Sequence, residues 1–526
     1  MKKLHLVLIA IIALGIVMRF YALDKAFING DEEFYIIAAE KFHVGSDYDV
    51  RIWNYHAPPV AKYIMGLSLA GTRVDYSIPY AIPPNLWVWN YVAFESIGQV
   101  YSIIRTVSAI FGVIFVIFIF LSGKELFGRT AGLWVAASAA VAIDYIVLSR
   151  VVLIDIYLYA FMAGAVFFYI KYRKALEKAV ETEAKTKGTF RHPAVWLIGF
   201  FVFFLLTIGT KNAQWLVLLP GLFYTEIIGN KKKVLRTVNF LIVIGIAWFI
   251  HSSFIYPEEF SKPAYEFFTQ GANKNLIEPH LDTFFTSLGV INSPFFLAAF
   301  IATIAFYLWA ISRKKWAGIR KHLTNPDGYT FVLILTIASL AAFSLTSLSQ
   351  NVKSVGQISI PFFILGGLAV AKITGSNGTE PRKTKEKAAL GVFLGLLAIG
   401  AFSAVWFAPD YEKYPGQQIL GISTPGELVN PLLDFLKEKG NPPVVTNEMN
   451  LLIFYKNYGG QAVPIPVKDS PACSQELIDQ IKAANAVVIF KNVGEVEKGF
   501  LCDRLFNYTE ELEIPGKRGN VRAVIF

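Results

Sequence analysis

The stretch "IIRTVSAIFGVIFVIFIFLSGKELFGRTAGLWVAASAAVAIDYIVLSRVVLID", residues 103–155, decides the fold. Two apolar runs, 99–121 and 130–148, flank the basic connector "GKELFGR", and a third run opens at 153. Each is about 20 residues long, the length a helix needs to cross the hydrocarbon of a bilayer. The few charges sit at the ends of the runs: Arg105 about two turns into the first, Arg150 and Asp155 beyond the second. Outward from this stretch the pattern repeats. Apolar runs at 4–22, 153–171, 194–209, 212–228, 237–256, 288–311, 329–348, 355–373 and 388–407 bring the expected total to eleven spans. The opening "MKK" and its apolar run imitate a signal peptide, but no small-residue cleavage site follows, so the run reads as a retained first span. Composition agrees: 54% of the 526 residues are hydrophobic and 17% charged, against about 25% charged in soluble domains.

Basic residues set the expected orientation. Lys2, Lys3, "GKELFGR", "KYRKALEKAVETEAKTKGTFR", "KKKVLR", "SRKKWAGIRK" and "PRKTKEK" fall on one side and hold about half of the 49 Lys and Arg residues. That side is cytoplasmic by the positive-inside rule. The net charge of +10 is therefore mostly a topology signal. It is scattered over short separate loops, which argues against a nucleic-acid partner. The outer side receives segments 23–98, 257–287 and 408–526. The expected division is a membrane part, 1–407, and an extracytoplasmic α/β domain, 408–526. In the latter, "TPGELVNPLLDFLKEKG" and "SQELIDQIKAAN" read as helices, the first opened by a Thr424/Glu427 capping box. "PVVTN", "QAVPIPV", "AVVIF" and "VRAVIF" read as short buried strands. Cys473 and Cys502 both lie there; exported cysteines point to a disulfide, with two buried free thiols as the alternative.

Chemistry concentrates in the first outer segment. "INGDEEFYIIAAEKF", residues 28–42, places Asp31, Glu32 and Glu33 directly after the first span. The plain interpretation is a surface helix capped by Asn29, whose first-turn acids complement its dipole. A cap does not need three acids, however, and "WNYHAPPVAKYIMGLS" follows, with His56, two prolines that set up a helix start, and Lys62 one turn into that helix. By itself Lys62 could be a snorkelling interfacial lysine. Short outer loops each add one cation: Arg150 in "LSRVVLID", Lys211 in "IGTKNAQW" and Lys353 in "SQNVKSVGQ". Arg105 and Asp155 join them, with Asp144 as a near alternative. Charges at membrane depth are costly and mark function or an interface. Cations at this level suit a phosphate, and carboxylates suit general-base work or a metal. Together they suit a lipid-linked phosphosugar, its head group at the rim and its tail in the bilayer.

The ordered series "DE", "HAPPVAK", "IIRTVSAIFG", "LFGRTAGLWVAA" and "LSRVVLID" resembles the GT-C glycosyltransferases. It is most similar to the dolichyl-phosphate-mannose protein mannosyltransferases and the aminoarabinose lipid A transferases. The resemblance covers about residues 1–215 and continues weakly through "IGTKNAQWLVLLP" and "KSVGQISIPFFILGGLAVA". It implies a multi-pass GT-C membrane fold, an exocytoplasmic active site, a polyprenyl-phosphate sugar donor and, in general, inversion at the anomeric carbon. By position it implies Asp31 or Glu32 as the catalytic acid residue, Asp31 favoured, with Asp155 supporting the site. It implies Lys62, Arg105, Arg150, Lys211 and Lys353 as donor-phosphate contacts. His56 and Tyr35 are candidate substrate contacts.

There are departures from the family pattern. Ala57 separates His56 from the prolines, and "KSVGQISIP" lacks the Tyr that many relatives carry, which weakens the role of Lys353. Segment 257–287 is too short for the extra β-trefoil of the eukaryotic mannosyltransferases, and no "WWDYG"-like motif of oligosaccharyltransferases is present. The acceptor hydroxyl could belong to a protein, a glycan or a lipid. A divalent metal (Mg²⁺, Mn²⁺ or Ca²⁺) could sit among Asp31, Glu32, Asp155 and His56, and His56, His251 and His280 leave a zinc site open. The alternatives are a transporter or lipid flippase, which tends to show repeated halves and mid-bilayer polar sites, and a non-catalytic subunit presenting 408–526.

Overall fold

The computed structural model describes residues 2–21, 23, 32–44, 57–72, 97–183, 193–211, 214–227, 234–258 and 261, with shorter pieces between 331 and 525. Helices dominate the first half: α1 Lys2–Phe20, α2 Glu32–Val44, α3 Val60–Ser68, α4 Ile97–Phe127, α5 Arg129–Val141, α6 Ile143–Ser149, α7 Asp155–Glu183, α8 Pro193–Ile208, α9 Leu218–Ile227 and α10 Val234–Ile250. Gln99–Phe127 and Thr237–Ile255 are long and apolar enough to cross a membrane, with mean hydropathies of 2.6 and 2.0. Large apolar side chains stand exposed on α1, α8 and α10, among them Leu6, Ile9, Ile198, Ile242 and Phe249. A soluble protein would hide such faces; lipid tolerates them.

Three expected spans differ in detail. The run 130–148 is two helices, because Ala142 is extended (φ −67°, ψ 115°) and separates α5 from α6. The run 153–171 continues as α7 to Glu183. The run 212–228 starts as a 3₁₀ turn, Gln214–Val217, before α9. The four expected spans from 288 to 407 lie largely outside the described residues.

Small residues and aromatics hold the bundle together. Gly128, at φ +92°, reverses the chain between α4 and α5. A Cβ on Gly132 would come within 2.8 Å of Phe120 O and 2.9 Å of Lys124 N, so the two helices touch backbone to backbone. Phe118, Phe168 and Phe203 fill the space between α4, α7 and α8, with ring centroids 4.9 Å and 5.2 Å from Phe203.

Charge is layered at the bundle's two ends. At one end lie Arg105 on α4 and Asp155 on α7. At the other, Glu125 on α4 receives Lys171 at 3.4 Å, and Arg173 and the Tyr169 hydroxyl reach Glu226 at 3.1 Å and 2.7 Å. Arg105 and Glu125 are twenty residues apart along α4, and Asp155 is sixteen to eighteen from Lys171 and Arg173 along α7, about 24–30 Å at the usual rise. That matches the roughly 30 Å hydrocarbon core.

Further along, strands β1 Val444–Thr446, β2 Ala462–Pro464, β3 Val487–Lys491, β4 Glu510–Ile514 and β5 Val521–Ile525 form one sheet of order β2-β1-β3-β5-β4. β1 pairs parallel with β2 and β3, and β5 pairs antiparallel with β3 and β4. Helix α11, Gln475–Ala483, precedes β3. The four strands expected from sequence are present; β4 was not among them. Gly440 (φ +80°) and Asn441 (φ +56°) close the helical turn before β1. Cys473 and Cys502 are disulfide-bonded, their Cα atoms 5.6 Å apart.

Candidate active site

Glu32 begins α2 and is fully buried. Both its oxygens are engaged. Arg105 Nη2 donates to Oε2 at 3.0 Å and to Oε1 at 3.4 Å, and the backbone N–H of Val152 donates to Oε1 at 2.5 Å. Val152 lies in the "LSRVVLID" turn between α6 and α7, so this one carboxylate joins the start of α2, α4 and that turn. Arg105 also donates through Nη1 to Leu23 O at 3.3 Å, and its guanidinium lies 5.3 Å from the Tyr101 ring centre. Leu23 and Glu32 flank segment 24–31. Arg105 therefore grips both ends of the short segment that carries Asp31.

A second ion pair sits on the first turn of α7. Lys211 Nζ donates to Asp155 Oδ1 at 2.5 Å; the Asp155 side chain is 3% exposed and that of Lys211 21%. Lys211 ends the turn after α8, and that turn also receives α3: Val60 N–H donates to Gly209 O at 2.9 Å. On α3, Lys62 is buried and its Nζ donates to Ala57 O at 2.6 Å. Arg150 is buried in the turn before α7 and Tyr35 is half-buried on α2. The backbone and ion-pair links thus gather Glu32, Arg105, Arg150, Asp155, Lys211 and Lys62 at one end of the bundle. Asp31, His56 and Lys353 lie outside the described residues, as does the side chain of Asp144.

One buried cation was not picked out from sequence. Arg19, in the last turn of α1, donates through Nη1 to Gly15 O and Ala140 O, both at 3.1 Å, and through Nη2 to Ala139 O at 3.2 Å. Ala139 and Ala140 are among the last carbonyls of α5, which Arg19 caps where the chain breaks at Ala142. The only signal in sequence was a lone Arg at the end of an apolar run.

For a metal, the carboxylates at hand are already occupied: Glu32 by Arg105 and an amide, Asp155 by Lys211. Among the described residues no group of three His, Cys, Asp or Glu side chains is arranged to hold an ion.

The sequence pattern of the dolichyl-phosphate-mannose-protein mannosyltransferase family matches residues 51–256. That segment contains Lys62, Arg105, Arg150, Asp155 and Lys211. No curated protein matches by sequence. Among solved structures, ArnT from Cupriavidus metallidurans in the apo state superposes with a TM-score of 0.52 at 13% identity, over 98% of this chain and 97% of that one. The same enzyme bound to undecaprenyl phosphate gives 0.50 at 13% identity with the same coverage. The Archaeoglobus fulgidus oligosaccharyltransferase tethered to an acceptor peptide gives 0.54 at 11% identity, over 93% of this chain and 69% of that one. The chain has the fold of the GT-C glycosyltransferases. A GT-C fold makes this a multi-pass membrane protein, as the apolar runs had implied. Its mannosyltransferase-like segment covers the Asp155–Lys211 pair, Arg105 and Lys62, whereas Glu32, the partner of Arg105, precedes it.

Proposed function

We propose that this GT-C protein transfers a sugar from a polyprenyl-phosphate donor to an acceptor hydroxyl at the outer membrane face. The observation that carries the reading is the layer of buried carboxylates and cations at one end of the bundle, of which all but Glu32 fall inside the segment that matches the protein mannosyltransferase family. The N-terminus and the Lys-rich connectors are cytoplasmic, about eleven helices span the membrane, and the sheet-bearing region from about 408 onward is extracytoplasmic.

Asp31 takes the proton of the acceptor hydroxyl. The oxygen so freed attacks the anomeric carbon from the face opposite the phosphate, the bond from that carbon to the phosphate oxygen breaks, and the configuration inverts. Polyprenyl phosphate leaves with one added negative charge, which Lys62, Arg150 and Lys353 stabilise as it develops. Glu32 and Arg105 act as positioning residues that fix segment 24–31. Asp155 aligns Lys211. His56 and Tyr35 contact the substrate.

The test is transfer of radiolabelled mannose from polyprenyl-phosphate mannose in membranes holding wild type or Asp31→Asn. The variant should fold and lose about 10²–10⁴-fold in rate, the usual contribution of a general base. Full activity in the variant rejects the assignment of the base. Movement of substrate without a new glycosidic product would favour a transporter.

A further inference from the structure

Beside this site lies a cavity of about 440 Å³ lined by Trp215, Leu216, Trp248, His251, Ser252, Tyr256 and Ser261. Four of those residues form a ladder of rings. Trp215 and Trp248 are 5.5 Å apart, Trp248 and His251 5.7 Å, and His251 and Tyr256 6.1 Å. The ladder is built where α10 loosens into a π-helical turn, His251–Ile255, closed by Tyr256 N–H donating to His251 O at 2.7 Å. Such widened turns recur at functional sites.

His251 is the informative residue. It is 6% exposed, and its Nδ1 is buried with no hydrogen-bond partner among the described residues. An unsatisfied buried polar atom is costly, so a ligand with a hydroxyl or amide to offer would repay the arrangement. The lining holds no carboxylate and no cation among the described residues, which disfavours a phosphate or a metal ion. An isoprenoid chain would suit the rings but leave Nδ1 unpaired. A pyranose satisfies both demands: its C–H face packs on an aromatic ring while its hydroxyls hydrogen-bond at the edge.

The cavity is also in the right place. Trp215 follows Lys211 by four residues. Ile255 of the π turn would lie 3.5 Å from a Cβ on Gly209, whose carbonyl holds the first turn of α3, two residues before Lys62.

We propose that this cavity is a subsite for a neutral pyranose, packed on Trp215 and Trp248 with a hydroxyl donating to His251 Nδ1. It deepens the transferase assignment and rests on it for its role. The same chemistry fits the sugar of the lipid donor or a sugar of an acceptor glycan.

The test uses full-length protein in lipid nanodiscs and saturation-transfer NMR with methyl α-D-mannopyranoside. Wild type should transfer saturation to the ring C–H protons. Trp248→Ala, at a half-exposed ring, and His251→Phe, which keeps a ring but lacks Nδ1, should each weaken binding about tenfold. Trp248→Phe should retain most of it, showing that the loss in Trp248→Ala is not misfolding. Binding is read without turnover, so it stands even if mannosyl transfer is never detected. Where transfer is detected, a raised donor KM in Trp248→Ala identifies the donor sugar, and a raised acceptor KM with the donor KM unchanged identifies an acceptor sugar. No saturation transfer in wild type, wild-type affinity in both weakened variants, or displacement by farnesol of a mannoside signal that neither variant alters would overturn the proposal.

Discussion

Removing the Arg105 guanidinium should be among the most damaging single changes in the membrane part. Arg105→Met deletes two charge-assisted contacts to Glu32 and one contact to Leu23 O. It takes the guanidinium away from a carboxylate that is fully buried and that also accepts from the Val152 amide. Breaking a buried pair from one side costs about 3–5 kcal/mol, mostly for the charge left behind. Glu32→Gln removes the other charge but keeps an oxygen that can accept from Val152. In Arg105→Met/Glu32→Gln no charge is stranded, so the double variant should be more stable than the sum of the single losses predicts. The coupling should fall within about 0.5–3 kcal/mol. Thermal unfolding of the four proteins in nanodiscs, followed by intrinsic fluorescence, reads the cycle. Sugar transfer should stay low in the double variant, because segment 24–31 has lost its grip at both ends. Losses that simply add would refute the claim that these side chains act as a pair. Full activity in the double variant would refute the positioning role.

Four further outcomes are expected. Lys62→Met should raise the donor KM at least tenfold while leaving unfolding temperature nearly unchanged, measured by steady-state transfer with varied donor; an unaltered KM removes Lys62 from the phosphate site. Lys211→Met should weaken donor binding and strand Asp155, and adding Asp155→Asn should restore much of the lost stability by about 1.5–3 kcal/mol, read by unfolding. Gly132→Ala should destabilise by about 1–3 kcal/mol, because the new methyl meets α4 backbone atoms at 2.8–2.9 Å that cannot step aside; thermal unfolding checks it. Transfer should persist in EDTA, since Glu32 and Asp155 are held by Arg105 and Lys211; activity lost to chelator and restored by one divalent ion would show a metal site that includes undescribed residues.

Helix placement was legible because the apolar runs are long and the lipid demands them. α4, α8 and α10 begin and end within a few residues of expectation, α4 running on past 121 to Phe127. The break at Ala142 was not legible: "AAVAID" carries no Gly or Pro, and Ala is the best helix former. There the chain bends because α5 ends on Arg19, a partner about 120 residues away in sequence. β4 was missed because "EELEI" reads as charged surface, and an edge strand carries charge for just that reason. For the site, sequence placed the acids and cations at one level of the membrane. It could not say which would pair, because Glu32 with Arg105 and Asp155 with Lys211 join helices far apart in the chain. Nor did it single out His251 among the three candidate histidines, since burial without a partner among the described residues is a property of the packed structure.

The pairing bears on how such a layer can handle a phosphate. Arg105, Arg150, Lys62 and Lys211 stand against Glu32 and Asp155, a surplus of two positive charges among the candidate side chains described. Lys353 adds one positive charge on the proposed roles and an ionised Asp31 removes one, so the surplus stays at two, against the single charge of a sugar phosphodiester. When Asp31 takes the acceptor's proton, the surplus rises by one, just as the departing phosphate gains its second charge. On the proposed roles the net charge of the site is therefore the same before and after transfer, and it stays slightly positive. Lone cations at this depth would be costly without substrate. Arg105 and Lys211 are instead held by carboxylates that never leave, so the protein bears the desolvation cost on folding and the donor meets a layer already in place.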